Sequence, residues 1–325
     1  MQLFALSETG MLGAAVAACL DHPLVGVEER SFEDGEHKSR PLESVRGADA
    51  YVLQSLDGEE GRSPNDKLIR LLFFAAALKE NGARRVTAVI PYLAYARKER
   101  QTKPRDPVTT RYVAQLIEAA GIDVVVGFEA HNIAAFQNAF RRSTIHLDTR
   151  RLFSERVVGL VGADPVVVAS PDPGGVKRAQ LFREMLERRL GRPVGAAFIE
   201  KRRSAGVVSG DILAGEVDGA TVLVIDDLVA SGGTLKRAAA RCLEGGARCV
   251  YAFAAHGLFV GDAERMLTQA PLKKLFVTDS IPLRRLSEAT RTAHVEVVTA
   301  APLFAAAISI LHQGGRITQL LGDED

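Results

Sequence analysis

Between stretches of helical periodicity, the sequence returns repeatedly to short, nearly unbroken runs of Val, Ile, Leu and Ala, at residues 86–90, 123–128, 166–169, 221–225, 249–254 and 295–298. A strand that alternates apolar and polar residues has one wet face, whereas runs like these need cover on both faces. That requirement selects a parallel sheet with helices on either side. Helical periodicity fills the intervals over 66–79, 109–120, 176–190, 234–244 and 302–312, and Asn81-Gly82, Gly121, Gly191 and Gly245-Gly246 supply stop signals. An α/β fold follows.

At 325 residues the chain exceeds one ordinary domain and suits two. Residues 82–90 resemble 246–254, each opening a strand after a helix. Two copies of one α/β unit explain the likeness, although helix-Gly-strand junctions could also converge on it. The cut between halves is expected within 150–165, which gives domains over 1–150 and 151–302 and a last segment, 303–325, whose helix packs back on the first.

Lys and Arg number 41 against 40 Asp and Glu, so the net field attracts neither nucleic acid nor an anionic membrane. Any anion site must be local. Cys19, Cys242 and Cys249 are odd in number and lack metal-ligand spacing, which suits a reducing compartment. Met1-Gln2-Leu3-Phe4-Ala5 has no basic region before an apolar one, and no uncharged apolar run reaches the ~18 residues needed to span a bilayer. A cytoplasmic location is expected.

Residues 222–235 carry the most chemistry, reading Val-Leu-Val-Ile-Asp226-Asp227-Leu-Val-Ala230-Ser231-Gly232-Gly233-Thr234-Leu235. A buried strand delivers two adjacent acids at its carboxyl end, and a loop of small residues then opens a helix at the edge where open α/β sheets bind ligands. Backbone N–H groups and hydroxyls of the loop can hold a phosphate at the helix N-terminus. Adjacent carboxylates can reach two sugar hydroxyls, directly or through a divalent cation. A mere capped turn would need neither the second acid nor the phosphate-type loop. The segment resembles the signature of the phosphoribosyltransferase fold. That likeness implies a ribose 5-phosphate held by Ala230, Ser231, Gly232, Gly233 and Thr234, with Asp226 and Asp227 facing its 2- and 3-hydroxyls.

Further segments at 30–36, 91–100, 130–131, 170–179 and 277–282 are similar, in order and spacing, to segments of the ribose-phosphate diphosphokinase family, the phosphoribosyl pyrophosphate synthetases. The similarity runs nearly end to end. It implies two similar phosphoribosyltransferase-like domains, each a mainly parallel sheet flanked by helices, the first binding ATP and the second ribose 5-phosphate. It also implies the reaction: transfer of the β,γ-diphosphoryl group of Mg-ATP to the anomeric hydroxyl of ribose 5-phosphate, giving phosphoribosyl pyrophosphate and AMP for nucleotide biosynthesis. Such a transfer spreads charge over bridging and leaving oxygens, so catalysis rests on positioning, Mg²⁺ and cationic side chains.

The resemblance assigns roles residue by residue. Residues 97–105 hold five cations and one acid and look like the family's loop that closes over ATP, with Arg97, Lys98 and Glu99 on the nucleotide. A basic run is ordinarily a solvated face, and only its place after 91–96 reverses that. Lys201 and Arg203 match the family's catalytic cations, a point charge near the β-phosphate and a planar fork on phosphate. His131 and Asp172 match its Mg²⁺ contacts. Phe32 can stack on adenine while Asp34, Gly35 and Glu36 complete that loop. In the family this loop serves a neighbouring subunit, which implies a homo-oligomer, a dimer or larger, with the nucleotide site at a subunit interface.

The departures carry their own expectation. Ala230 replaces the family's usual acid before the phosphate loop, Lys98 a Gln, Glu129 an Asp and Pro173 an Ala. Ile133 and Phe136 fall where the phosphate-activated class binds its regulator, and neither can hydrogen-bond a phosphate. Arg316 and Thr318 stand where serines are common. A phosphate-independent class is therefore expected. Two other readings stay open: a phosphoribosyltransferase that consumes phosphoribosyl pyrophosphate, and a catalytically silent paralogue that regulates an active partner.

Overall fold

The computed structural model describes residues 1–204 and 207–321, with side chains outside 201–211 and 321. Two compact units divide the chain, Met1–Asp148 together with the chain from Ala300 on, and Thr149–Thr299.

The first unit runs β1 (Gln2–Ala5), α1 (Gly10–Leu20), β2 (Val27–Ser31), β3 (His37–Pro41), β4 (Asp49–Leu53), α2 (Pro64–Glu80), β5 (Arg85–Ile90), α3 (Thr109–Ala119), β6 (Val124–Phe128), α4 (Ile133–Ala139) and β7 (Ser143–Leu147). Its sheet is parallel throughout, in the order β1-β4-β5-β6-β7. Strands β2 and β3 form a separate antiparallel ribbon. Phe4, Val52, Phe74, Leu78, Ile90 and Ile117 are among the residues that close one core. Helix α2 starts on a capping box between Ser63 and Asp66. Its Lys67, only 1% exposed, points inward to Asp57 and Glu59 at 3.2 Å each.

The second unit comprises α5 (Arg150–Val161), β8 (Val166–Ser170), α6 (Val176–Leu190), β9 (Gly195–Ser204), β10 (Val207–Ala214), β11 (Thr221–Val229), α7 (Gly233–Glu244), β12 (Cys249–Gly257), α8 (Ala263–Thr268), β13 (Lys274–Thr278), α9 (Glu288–His294) and β14 (Val295–Val298). The order is β10-β9-β8-β11-β12-β13-β14, parallel except between β9 and β10. Strand β11 shows why its sequence is continuously apolar. Val222 and Val224 join the core with Leu235, Ala238 and Cys242, whereas Leu223 and Ile225 join the opposite core with Phe153, Phe182 and Phe253. Helix α5 occupies most of the stretch 150–165. The chain then returns to the first unit as α10 (Ala301–Gln313) and α11 (Thr318–Leu321).

The two sheets share one local design. Gly82 and Gly246 both lie at positive φ, +88° and +90°, and both accept a backbone hydrogen bond across a turn, from Gly47 at 2.8 Å and from Gly219 at 2.9 Å. Arg84 N–H donates to Ala48 O and Arg248 N–H to Ala220 O in the same way. Asp49 pairs with Arg85 as Thr221 pairs with Cys249. Counting along the strands from these matched pairs, Gln54 and Ser55 stand in the first unit where Asp226 and Asp227 stand in the second. Two copies of one α/β unit account for this agreement.

Candidate active site

Strand β11 carries its apolar run to the carboxyl edge of the sheet and there presents Asp226 and Asp227. The Asp227 N–H donates to Asp226 Oδ1 at 2.9 Å, which ties the neighbouring carboxylate to the strand backbone. Arg178, from the first turns of α6, reaches Asp227 Oδ1 with Nη1 at 3.6 Å. Burial first, then the charge of Asp227, push the Asp226 carboxyl well above its usual value. Such a pair is under electrostatic load.

The loop that follows is shaped by Gly232, whose φ of +78° is left-handed. A Cβ there would also crowd Met266 at 3.3 Å. Gly232 is the N-cap of α7 and has no side chain to occupy the first N–H groups of the helix. Ser231 is exposed, and Gly233 and Thr234 are half-buried beside it. The loop is braced from behind, since Val260 N–H donates to Ala230 O and Leu258 N–H to Val229 O.

Strand β8, hydrogen-bonded to β11, ends at Ser170, and Asp172 follows two residues on. Its Oδ1 accepts from Gly175 N–H at 3.1 Å and caps the turn before α6, while Ser170 Oγ donates to the Asp172 carbonyl at 2.6 Å. A Cβ on Gly175 would stand 2.7 Å from that Ser170 hydroxyl, so the turn requires glycine. Asp172, Asp226, Asp227 and residues 230–234 thus gather at the carboxyl ends of two neighbouring strands. The side chains of Lys201 and Arg203, in β9, lie outside the described residues. Arg178, which ties α6 to the carboxylate pair, was not singled out from sequence for this role; its signal was the helix start directly after the Asp-Pro-Gly-Gly turn.

In the first unit, the turn of the β2–β3 ribbon holds Phe32, Asp34, Gly35 and Glu36. Phe32 N–H donates to Glu36 O, Asp34 Oδ1 accepts from Glu36 N–H at 3.0 Å, and Gly35 takes φ +91°. The Phe32 ring is 41% exposed with the Arg30 guanidinium 5.2 Å from its centroid. The basic loop is knotted by Asp106, whose Oδ2 accepts from Lys98 Nζ at 2.6 Å, Thr102 Oγ1 at 2.7 Å and Lys103 N–H at 3.1 Å. Lys98 first, then Thr102, hold the Asp106 carboxyl well below the ordinary range. Arg97, Arg100, Lys103 and Arg105 stay exposed around that knot. Glu99 Oε1 accepts from Asn132 Nδ2 at 3.0 Å, which brings the basic loop to the exposed His131 at the end of β6.

A mainly parallel sheet that ends in paired carboxylates, followed by a glycine loop and a helix N-terminus, marks a protein of the phosphoribosyltransferase fold. Residues 1–121 match the family described as the N-terminal domain of ribose phosphate pyrophosphokinase, and residues 206–322 the phosphoribosyl synthetase-associated domain. A ribose-phosphate pyrophosphokinase from Caldanaerobacter subterraneus is 37% identical over 98% of this chain and 97% of its own, and one from Chlorobaculum tepidum 34% identical over 97% and 93%. The crystal structure of phosphoribosylpyrophosphate synthetase from Mycobacterium smegmatis superposes with a TM-score of 0.86 at 32% identity, covering 97% of this chain and 99% of that one. The chain belongs to the ribose-phosphate pyrophosphokinase family.

Proposed function

We propose that this protein transfers the β,γ-diphosphoryl group of ATP to ribose 5-phosphate. The observation that carries the reading is the carboxyl end of β11, where an acidic pair, a left-handed glycine and an open helix start follow one another within nine residues, Asp226 to Thr234. The names of relatives that match nearly the whole chain support the same reaction. The loop 230–234 receives the 5-phosphate on backbone N–H groups, and Asp226 and Asp227 accept from the 2- and 3-hydroxyls. Arg178, with Nη1 3.6 Å from Asp227 Oδ1, orients Asp227 for that task.

The anomeric oxygen then attacks the β-phosphorus, the bond from that phosphorus to the bridging oxygen breaks, AMP leaves and the hydroxyl proton passes to solvent. Lys201 and Arg203 offset the charge that develops in flight, and Arg97, Lys98 and Glu99 close over the nucleotide. Phe32 stacks on adenine, with Asp34, Gly35 and Glu36 around it. The donor set suits Mg²⁺. Asp172 offers a hard carboxylate oxygen at a strand end and His131 an exposed ring nitrogen. Among the described residues no three His, Cys, Asp or Glu side chains form a cage, and Mg²⁺ is ordinarily held by one or two carboxylates with phosphates and water. Bound there, Mg²⁺ supplies neutralisation of phosphate charge.

On this reading the domain over 1–150 binds ATP, that over 151–302 binds ribose 5-phosphate, and 303–325 completes the first. A homo-oligomer in the cytoplasm, independent of phosphate activation, completes the proposal; no helix among the described residues is long and apolar enough to cross a membrane. The decisive experiment incubates the purified protein with ribose 5-phosphate, ATP and Mg²⁺. Stoichiometric AMP and phosphoribosyl pyrophosphate are expected. AMP no higher than with the Lys201→Ala variant would overturn the assignment.

A further inference from the structure

Among the described residues the β2–β3 ribbon pairs with no strand of the five-stranded sheet, and an isolated two-stranded hairpin is marginal in water. Something else must hold it. On one face, Glu28 pairs with Lys38 and Arg40 across the strands, an exposed arrangement that contributes little. Glu29 Oε2 also accepts from Ser7 N–H at 2.7 Å, and further anchors come from α2. Arg70 is a buried cation whose Nη2 donates to Ser31 Oγ at 2.9 Å and whose Nη1 lies 3.9 Å from Glu29 Oε1. Glu29 and Ser31 are two apart on one strand and so share a face, which the planar guanidinium can span. One turn further along α2, the Phe73 ring stacks on His37, the residue that opens β3, with centroids 5.4 Å apart and planes at 17°.

Ser31 immediately precedes Phe32, and His37 immediately follows Glu36. The α2 contacts therefore clasp both ends of the turn that carries Phe32, Asp34, Gly35 and Glu36. We infer that Arg70 is a positioning residue for the nucleotide site: through Ser31 and Glu29 it fixes the direction in which the ribbon delivers Phe32 to the purine base of the donor. The inference rests on the proposed adenine role of Phe32. Burial first, then the charges of Arg70 and Arg62, lower the His37 imidazole below its ordinary value, so the ring on Phe73 is neutral at pH 7 and the clasp does not repel Arg70.

The test measures KM for ATP and for ribose 5-phosphate separately, from AMP release, in Ser31→Ala, Arg70→Lys, Arg70→Ala and Phe32→Ala. Loss of one charge-assisted hydrogen bond should raise KM for ATP about threefold in Ser31→Ala and about tenfold or more in Arg70→Ala, with Arg70→Lys between them. KM for ribose 5-phosphate should move by less than about twofold, and Ser31→Ala should add nothing to Arg70→Ala. A role in stability alone would lower the melting temperature and leave the ratio of the two KM values where it was. Ser31→Ala keeps the helix and its buried cation intact, so it reports even if Arg70→Ala folds poorly. If Phe32→Ala raises KM for ATP but Ser31→Ala and Arg70→Lys do not, this inference is wrong and the adenine role survives. An unchanged KM for ATP in Phe32→Ala removes the adenine role and this inference with it.

Discussion

His312 Nδ1, in the last turn of α10, lies 2.7 Å from a carboxylate oxygen of Asp49, the first residue of β4. Arg85, across the parallel ladder, grips the same carboxylate with Nε at 2.7 Å and Nη2 at 2.6 Å, and Tyr51 adds its hydroxyl at 3.1 Å. Arg85 Nη2 also donates to the Leu311 carbonyl at 3.1 Å. A buried anion on the sheet thus fastens helix α10.

Asp49→Asn should cost about 2 kcal/mol, because it leaves a half-buried guanidinium short of its counter-charge, and should lower the melting temperature by about 4–8 °C. Burial opposes ionisation of Asp49 but is outweighed by the hydrogen bonds from Arg85 and then His312, which hold the carboxyl below its usual value. A depressed carboxylate contributes stability above its unfolded value and loses it as pH falls through the folded one. Melting curves of wild type and Asp49→Asn should therefore differ fully at neutral pH and converge below the ordinary carboxylate range.

Asp226→Asn should move stability the other way. An asparagine keeps an oxygen for the Asp227 N–H and removes one of two crowded charges. The penalty for ionising Asp226 is present above its raised value and vanishes below the unfolded one, so the gain, about 2–4 °C in melting temperature at neutral pH, should fade toward about pH 4. KM for ribose 5-phosphate should rise about tenfold or more. A melting temperature that falls together with an unchanged KM would remove Asp226 from the sugar site.

Orthophosphate should raise activity by less than about twofold at saturating Mg²⁺, where a coupled effector typically gives 5–150-fold. Phe136 is 3% exposed and packs on Gly127, where a Cβ would stand 2.8 Å from its ring, and on Phe140 at 5.4 Å. Its ring is core, so the helix that begins at Ile133 offers no donor there. Titration of activity with phosphate at fixed Mg²⁺ settles the matter, and strong activation would exclude the phosphate-independent class.

What could be read from the sequence was whatever the sequence encodes locally. Strand β11 was legible because both of its faces are covered, and the repeated helix-Gly-strand junction was visible in a few residues at each copy. The acidic pair and glycine loop announced themselves by adjacency. The β2–β3 ribbon was not seen as strands, because Val27–Ser31 and His37–Pro41 have no apolar period and depend on Arg70, 39 residues beyond Ser31. Lys67 reads as the wet side of an amphipathic helix, and only Asp57 and Glu59 folding over it make it a core residue. The capture of Lys98 by Asp106 likewise needs a loop closure that no spacing foretells.

The matched strand ends of the two sheets have a consequence for how the fold tolerates its own site. Gln54 and Ser55, in the places of Asp226 and Asp227, are neutral and settle their needs locally with Thr9 and Glu8, at 2.9–3.4 Å. At this strand end, the crowded carboxylate pair thereby occurs in the second unit and a neutral pair in the first. In the second unit, burial and the charge of Asp227 raise the Asp226 carboxyl, a load that a cation and sugar would relieve on the proposed reading. On that reading substrate would act as a structural part as well as a reactant, since whatever binds the folded form and relieves its load also stabilises it.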